Sequence, residues 1–520
     1  MAAHRLALII ENPSNDSEFL LVKQSHPPKF NDEEYDSFVD SDLWDLPAAQ
    51  LNSQQAESQL PVEVEVVGSH SEDFSLREFD IRAALNEVYG RLGFEAVERG
   101  GWKFHKYVKE AAFGPDFPVN TVFIIGKLVA PEDKNFRDSF KWMSVQSCLN
   151  WLLEVKPHGD RVGPLVVVGL INESSISTKW KVPPAIQYQE YPPGVTLIPM
   201  GSRTTKPFHT TNLVVFAPEN VPNDSEENSF IAHGDALIVD PGCLSEFHGE
   251  LKKVVTALPR RLVVFVTHHH PDHVEGLSVI QKWNPDAILL AHENTMRRIS
   301  RDDWSLGYTS VTGDEDIYVG GQTLRAIFAP GHTDGHMALL HVNTHSLIVG
   351  DHCVGQGSAV LDITSGGNMT EYFQTTYRFL ELSPHALIPM HGRVNLWPKH
   401  MLCGYLKNRR SREANILKAI EGGAKTLFDI VAYVYSDVDH RAWVAASSNV
   451  RLHVDHLAQQ HKLPKDFSTQ KFKDTCGLHF LSRWIWAYTR GSLLHLVGKS
   501  SFLIAGVLAG IAVLYCQKKV

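Results

Sequence analysis

Cysteine is scarce in this chain of 520 residues: six are present, Cys148, Cys243, Cys353, Cys403, Cys476 and Cys516, with no CxxC pair among them. That excludes a disulfide framework and a cysteine-based metal site, and it points to a reducing space such as the cytosol. Positive charge is not in excess either, since the net charge is −10, which excludes wholesale coating of nucleic acid. The amino-terminal stretch from Met1 to Ile10 breaks at Glu11, with neither a full apolar signal core nor a cleavage pattern, so it reads as a first strand and not as a secretion or import signal. Hydrophobic content of 43% and charged content of 21% describe ordinary globular protein, and the length exceeds what one hydrophobic core serves.

What the chain does have is histidine, and one dense cluster of it. Thr267-His268-His269-His270-Pro271-Asp272-His273 sets imidazoles and a carboxylate in an HxHxDH spacing that suits two adjacent metal ions. The β-branched apolar run from Arg261 to Thr267 reads as a buried strand, so the cluster leaves a strand's C-terminal end, where α/β proteins put chemistry. The arrangement recurs. Ala236–Val239 runs into Asp240, Leu324–Phe328 toward His332, Ser346–Val349 toward Asp351, and Ala386–Met390 into His391. Taken alone, His332 or His391 reads as a loop histidine bonded to a carbonyl; joined to the cluster, each reads as a ligand. His269 is expected to point away from the ligands, into solvent. For His336 two roles stand open, a proton donor in the active site or a structural residue. His292, His341, His345, His352 and His385 carry no spacing signal and read as surface or packing residues.

In chain order, Asp240, the HxHxDH run, His332, Asp351 and His391 resemble the five motifs of the metallo-β-lactamase superfamily, over residues 195–400. The resemblance implies an α/β fold, an αββα sandwich with a metal site at one edge of its sheets. It implies one ion on His268, His270 and His332, a second on Asp272, His273 and His391, Asp351 bridging both, and Asp240 orienting ligands from behind. Asp272 and His336 are the catalytic candidates. Imidazole and carboxylate suit zinc, two Zn2+ per chain, although manganese and iron accept the same donors. Two such ions share a water, lower its pKa and stabilise charge on attacking and leaving oxygens.

Residues 1–190 read as a separate small α/β unit. Apolar strands are expected at Leu6–Ile10, Phe19–Val22, Val122–Ile125 and Leu165–Gly169, and an amphipathic helix at Phe79–Leu92. The run from Ala83 to Phe94 resembles a Nudix box, and Trp44–Pro47 the strand before it. Where that family carries its metal-binding glutamates this chain has Gly90 and Arg91, and Asn86 replaces an arginine, so a degenerate Nudix-like domain used for binding or packing is expected. The prolines and glycine of Gln187–Gly194 mark a linker, and Pro218–Asn228 a surface loop.

After His391 come helical patterns at Arg412–Ile420, Thr426–Tyr435 and Arg441–Gln460, the second opened by a Thr-x-x-Asp cap. Residues 403–465 carry ten Lys/Arg against six Asp/Glu. Such helices suit a winged-helix domain or a helical cap over the site. Residues 466–500 read as a linker with an interfacial aromatic segment, Trp484–Tyr488. Ser501–Cys516 is uncharged and bounded by Lys499 and Lys518; it is expected to be a transmembrane tail anchor, with a buried core helix as the other reading. The catalytic domains then face the cytosol from an organelle membrane.

A catalytic domain with Gly350-Asp351-His352-Cys353-Val354-Gly355-Gln356-Gly357 after its fourth motif, followed by a winged helix, resembles the β-lactamase-like endoribonucleases. What that implies is hydrolysis of phosphodiester bonds in single-stranded RNA by a metal-bridged hydroxide, with single-stranded RNA and the membrane as partners. The alternative is a glyoxalase II-type thioester hydrolase, because HxHxDH does not choose between the two.

Overall fold

The structure is a computed structural model, and it describes residues 2–53, 64–65, 75–93, 101–127, 139–156, 158–171, 180–218 and 230–493. The chain divides into two compact units, Met1–Asn408 and Arg409–Val520.

The first unit opens with a nine-stranded mixed sheet. Its strand Ala3–Asn12 pairs antiparallel with Asn15–Lys23 and parallel with Val119–Lys127. Side chains alternate across the sheet. Leu6, Leu8 and Ile10 pack on the helix Ile81–Leu92, while Ala7 and Ile9 face the helices Val145–Leu153 and Pro164–Gly169. The last of these corrects the expected strand at Leu165–Gly169. Pro164 occupies the first helical turn, where its missing N–H costs nothing, and a short apolar run fits a buried helix as well as a strand. On the helix Ile81–Leu92, Arg91 pairs with Glu87 at the surface. Among the described residues, no group of metal-capable side chains converges there.

Residues 189–400 build two further sheets. One runs, in spatial order, Gln189–Glu190, Val195–Gly201, Thr210–Phe216, Ala236–Val239, Leu262–Phe265, Ile288–Ala291 and Tyr308–Ser310; the other runs Ala232–Gly234, Asp316–Val319, Gln322–Phe328, Met337–His341, Ser346–Ile348 and Ala386–Ile388. Leu237, Val239, Val263 and Phe265 point from the first sheet onto Leu324, Ala326, Leu339 and Ile348 of the second. Their neighbours Ala236, Ile238, Leu262 and Val264 face the helices His248–Ala257 and Leu277–Trp283 instead, so each apolar strand feeds two cores. Across the second sheet lies the helix Met369–Leu382, with Tyr372 and Phe379 fully buried. The expected linker at 187–194 contributes a short edge strand that pairs with Val195–Gly201. Ala111 and Phe113, from the amino-terminal sheet's loop, enter the core between the two sheets.

In the second unit, the helices Leu427–Val434 and Trp443–Gln459 pack with the end of Pro398–Glu421 around Ile416, Leu427, Ile430, Val450 and Leu457. Thr426 caps its helix by accepting from Asp429 N. The expected linker at 466–500 is corrected in its described part: Thr469–Asp474 and Leu478–Leu493 are helices whose Phe472 and Phe480 lie in this core. Trp484, read as an interfacial anchor, donates to His440 O at 2.7 Å and packs on the same core.

The tail anchor, and the membrane localisation drawn from it, are corrected as well. Among the described residues no helix is long and apolar enough to cross a membrane, and 501–516 lies outside the described residues. At 16 residues that run is also short of the roughly 20 a spanning helix needs.

Candidate metal centre

Five strands deliver the expected ligands to one edge of the two sheets. Asp240 follows Ala236–Val239, the histidine run follows Leu262–Phe265, His332 follows Gln322–Phe328, Asp351 follows Ser346–Ile348, and His391 follows Ala386–Ile388. The close approach of two of these turns demands glycine at 242, because a Cβ there would lie 1.8 Å from Asp272 O.

His268, His270, His332 and Asp351 form one donor group, and Asp272, His273 and His391 another. In the first, the facing ring nitrogens of His268, His270 and His332 stand 3.0, 3.2 and 3.2 Å apart. An ion about 2.0–2.1 Å from three tetrahedrally disposed nitrogens sets them about 3.3 Å apart, so the trio has the dimensions of a metal seat. In the second, His391 Nε2 lies 3.4 Å from Asp272 Oδ2, and His273 Nε2 lies 3.9 Å from Asp272 Oδ1. Asp351 touches both groups. Its Oδ1 stands 3.5 Å from His273 Nε2 and 3.3 Å from His391 Nε2, while its Oδ2 stands 4.0 Å from His332 Nε2. His273 Nε2 and Asp351 Oδ1 are buried without a hydrogen-bond partner, which is the signature of donors aimed at a cation. The residues present therefore fit a pair of divalent ions.

Behind the donors, each imidazole is held by its other nitrogen. Asp240, wholly buried at φ 48°, accepts from Thr267 N at 2.7 Å and Thr267 Oγ1 at 2.6 Å, and holds His273 Nδ1 at 2.8 Å. His268 Nδ1 meets Thr267 Oγ1, His332 Nδ1 the Val360 carbonyl, and His391 Nδ1 the Thr210 carbonyl. His270 Nε2 meets Asp362 Oδ2 at 3.2 Å. Sequence reading missed Asp362, which sits 92 residues downstream with no strand-end pattern to mark it. The signal in the sequence that marks it is the Asp-x-Thr-Ser run, whose hydroxyls Thr364 and Ser365 both donate to Asp362.

His336 lies fully buried. Its Nδ1 meets Ala329 O at 2.9 Å and its Nε2 accepts from Asp351 N at 3.1 Å. Both nitrogens are thus used to hold the turn that carries Asp351, and neither is turned to a substrate. His269, expected in solvent, is half-buried with Nε2 on Ser365 Oγ at 3.0 Å.

The electrostatics differ between the two donor groups. Burial, reinforced by the neighbouring imidazoles, holds His268 well below the ordinary histidine range; burial and His270 bring His332 down to about 3. Both therefore offer lone pairs at neutral pH. In the second group burial opposes charge, yet Asp351, Asp272 and Asp240 hold His273 cationic well above its ordinary range, and Asp351 and Asp272 push His391 up to about 9. Burial likewise works to raise the Asp272 carboxyl, but His273 and His391 bring it down to about 2. This half of the site is built to attract positive charge.

Comparison with known proteins agrees with this geometry. Residues 226–391 match the family described as the Metallo-beta-lactamase superfamily, and residues 426–466 match the Beta-lactamase associated winged helix domain. The chain carries a metallo-β-lactamase superfamily domain followed by that winged helix, and it is a metal-dependent hydrolase. It is similar to a Beta-lactamase-like protein 2 homolog of Drosophila melanogaster, 26% identical over 212 residues that cover 38% of this chain and 69% of the relative. A protein of the same description from Caenorhabditis elegans is 27% identical, covering 43% of this chain and 75% of the relative. The chain spans about half the length of the Lactamase-like protein vrtG of Penicillium aethiopicum, 30% identical over 31% of this chain and 48% of that protein. Among solved structures, a Beta-lactamase domain protein from Burkholderia ambifaria aligns over 58% of this chain and 96% of its own, at 18% identity and TM-score 0.47.

Proposed function

We propose that the chain is an endoribonuclease that hydrolyses phosphodiester bonds of single-stranded RNA with two Zn2+ at the paired donor groups. The observation that carries this reading is the Asp351 carboxylate, whose two oxygens face different donor groups. A seat for two ions suits displacement at phosphorus, where attacking and leaving oxygens both gather charge. The winged-helix match supports a polymeric anion, and Lys418, Lys425, Lys462 and Lys465 stand exposed in that unit to meet phosphates.

When bound, the ions supply Lewis acidity and a water that ionises near neutral pH. The chain's own residues do the rest. Asp240, Asp362 and the Val360 and Thr210 carbonyls hold the outer imidazole nitrogens, so the inner nitrogens face the seat, where His273 and His391 would give up their inner proton to a bound ion. Asp272, ionised at neutral pH and still partly open to solvent, takes the proton of the attacking water at a carboxylate oxygen. His336 acts through Asp351, as a positioning residue.

The test is the full chain, reconstituted with Zn2+ and incubated in parallel with a single-stranded RNA oligonucleotide and a glutathione thioester. RNA cleavage is expected, and it is lost in Asp351→Asn and His270→Ala. Cleavage of the thioester alone overturns the nuclease reading in favour of a glyoxalase II-type hydrolase.

A further inference from the structure

A cavity of about 670 Å³ opens between the amino-terminal sheet, the helix Pro164–Gly169 and the loop that follows His391. Its size falls within the usual range for small-molecule sites. Its wall divides into two kinds of surface. One side is aliphatic, from Val108, Val168, Ile171, Ile186 and Leu396. The other carries Arg5 and Lys106, from the two strands that flank Val119–Lys127.

The charges in this wall do not cancel. Glu110 is already engaged, since it holds Arg393 at 2.6 and 2.9 Å and accepts from Val119 N. Glu190 is turned to Gly194 N at 3.0 Å. Arg5 donates from Nε to Thr121 Oγ1 at 2.9 Å and, among the described residues, has no ion-pair partner. Lys106 Nζ lies 5.7 Å from the centre of the Phe123 ring and likewise has no carboxylate partner among the described residues. Burial lowers the pKa of both groups: Asp45 and Glu110 offset this in part for Arg5, acting at a distance and without an ion pair, while burial acts on Lys106 alone. A half-buried guanidinium and ammonium facing one cavity are costly in isolation, and an anion between them relieves that cost.

We propose that this cavity is a binding site for an aliphatic organic anion, a carboxylate or phosphate head between Arg5 and Lys106 with its hydrocarbon body against Val108, Val168 and Ile186. The aliphatic side chains outnumber the two aromatic ones of the wall, Phe123 and Tyr188, which favours an acyl or alkyl chain over a flat heterocycle. No donor of the metal centre lines the cavity, so binding here is separable from hydrolysis.

Isothermal titration of the full chain with octanoate and octyl phosphate tests the proposal, the two heads distinguishing a carboxylate from a phosphate ligand. At least one is expected to saturate at one equivalent, with neutral octanamide at least tenfold weaker. Lys106→Gln, which removes a charge, and Val168→Trp, which fills the space, are each expected to weaken binding at least tenfold while the circular dichroism spectrum is unchanged. Arg5→Gln is expected to do the same where it folds. Absence of saturable binding by both anions, equal affinity for octanamide, or unchanged binding in folded Lys106→Gln or Val168→Trp overturns it.

Discussion

Replacing Asp240 by Asn tests the claim that the second donor group is tuned from behind. The backbone is not at issue, because asparagine tolerates the left-handed φ of 48° that Asp240 adopts. What changes is hydrogen-bond polarity. Asp240 accepts from Thr267 N and Thr267 Oγ1 at 2.7 and 2.6 Å and keeps the Nδ1 proton of His273 at 2.8 Å. An asparagine retaining its oxygen on Thr267 N presents an N–H₂ toward His273 Nδ1. The imidazole then carries its proton on Nε2, the atom aimed at the metal seat. Loss of a comparable supporting group costs 10- to 100-fold in metal affinity, about 1.4–2.7 kcal/mol. Competition with a chromophoric chelator measures the effect directly. Two bound Zn2+ are expected in the native chain, and in Asp240→Asn the second equivalent is weakened by that factor while the first changes little. Two equivalents bound with native affinity in the variant would refute the reasoning.

Three further outcomes follow. Arg161, only 3% exposed, donates to the carbonyls of Ser41, His385 and Leu396, so Arg161→Met leaves three buried acceptors unpaired and is expected to cost at least about 3 kcal/mol in urea unfolding. Gly242→Ala drives a methyl into Asp272 O and is expected to lower the thermal midpoint and abolish binding of the second ion together. In the second unit, burial disfavours the Glu413 carboxylate, but bonds from His453 and His456 hold its pKa down to about 2, while burial holds His453 down to about 4. A depressed carboxylate stabilises above its unfolded value of about 4.5 and loses that as pH falls toward 2; a depressed buried histidine costs stability as pH falls from about 6.5 to 4, because only the unfolded chain takes the proton. Stability of this unit is therefore expected to decline on acidification from pH 7, and Glu413→Gln is expected to flatten the part of the decline below pH 4.5, read by thermal melts across pH.

The candidate metal centre was legible because its residues obey a local rule: an apolar strand ends, and a histidine or an aspartate follows within four residues. Asp240, His268, His332, Asp351 and His391 each satisfy it within a few residues of a strand. The supports did not, since Asp362 and the Val360 and Thr210 carbonyls reach their histidines across 92, 28 and 181 residues. His336 stands in the same Gly-His-Thr-Asp-Gly-His run as His332, and nothing in that spacing says that it turns inward beneath Asp351. The run Leu165–Val168 has no period to read, so length and its leading proline were the only guides. Aromatic residues flanking an apolar tail read as membrane anchors, whereas Trp484 is explained by packing and one hydrogen bond.

Ala111 and Phe113 come from the amino-terminal half yet lie among the side chains sealed between the two catalytic sheets. A fragment starting at residue 195 would keep every metal donor while losing two side chains of its own sealed core. Water admitted there would meet the apolar side chains that share this core with Ala111 and Phe113. The appended half is thus a piece of the hydrolase's own scaffold, and trimming the protein to its recognisable catalytic core removes part of what makes that core a solid.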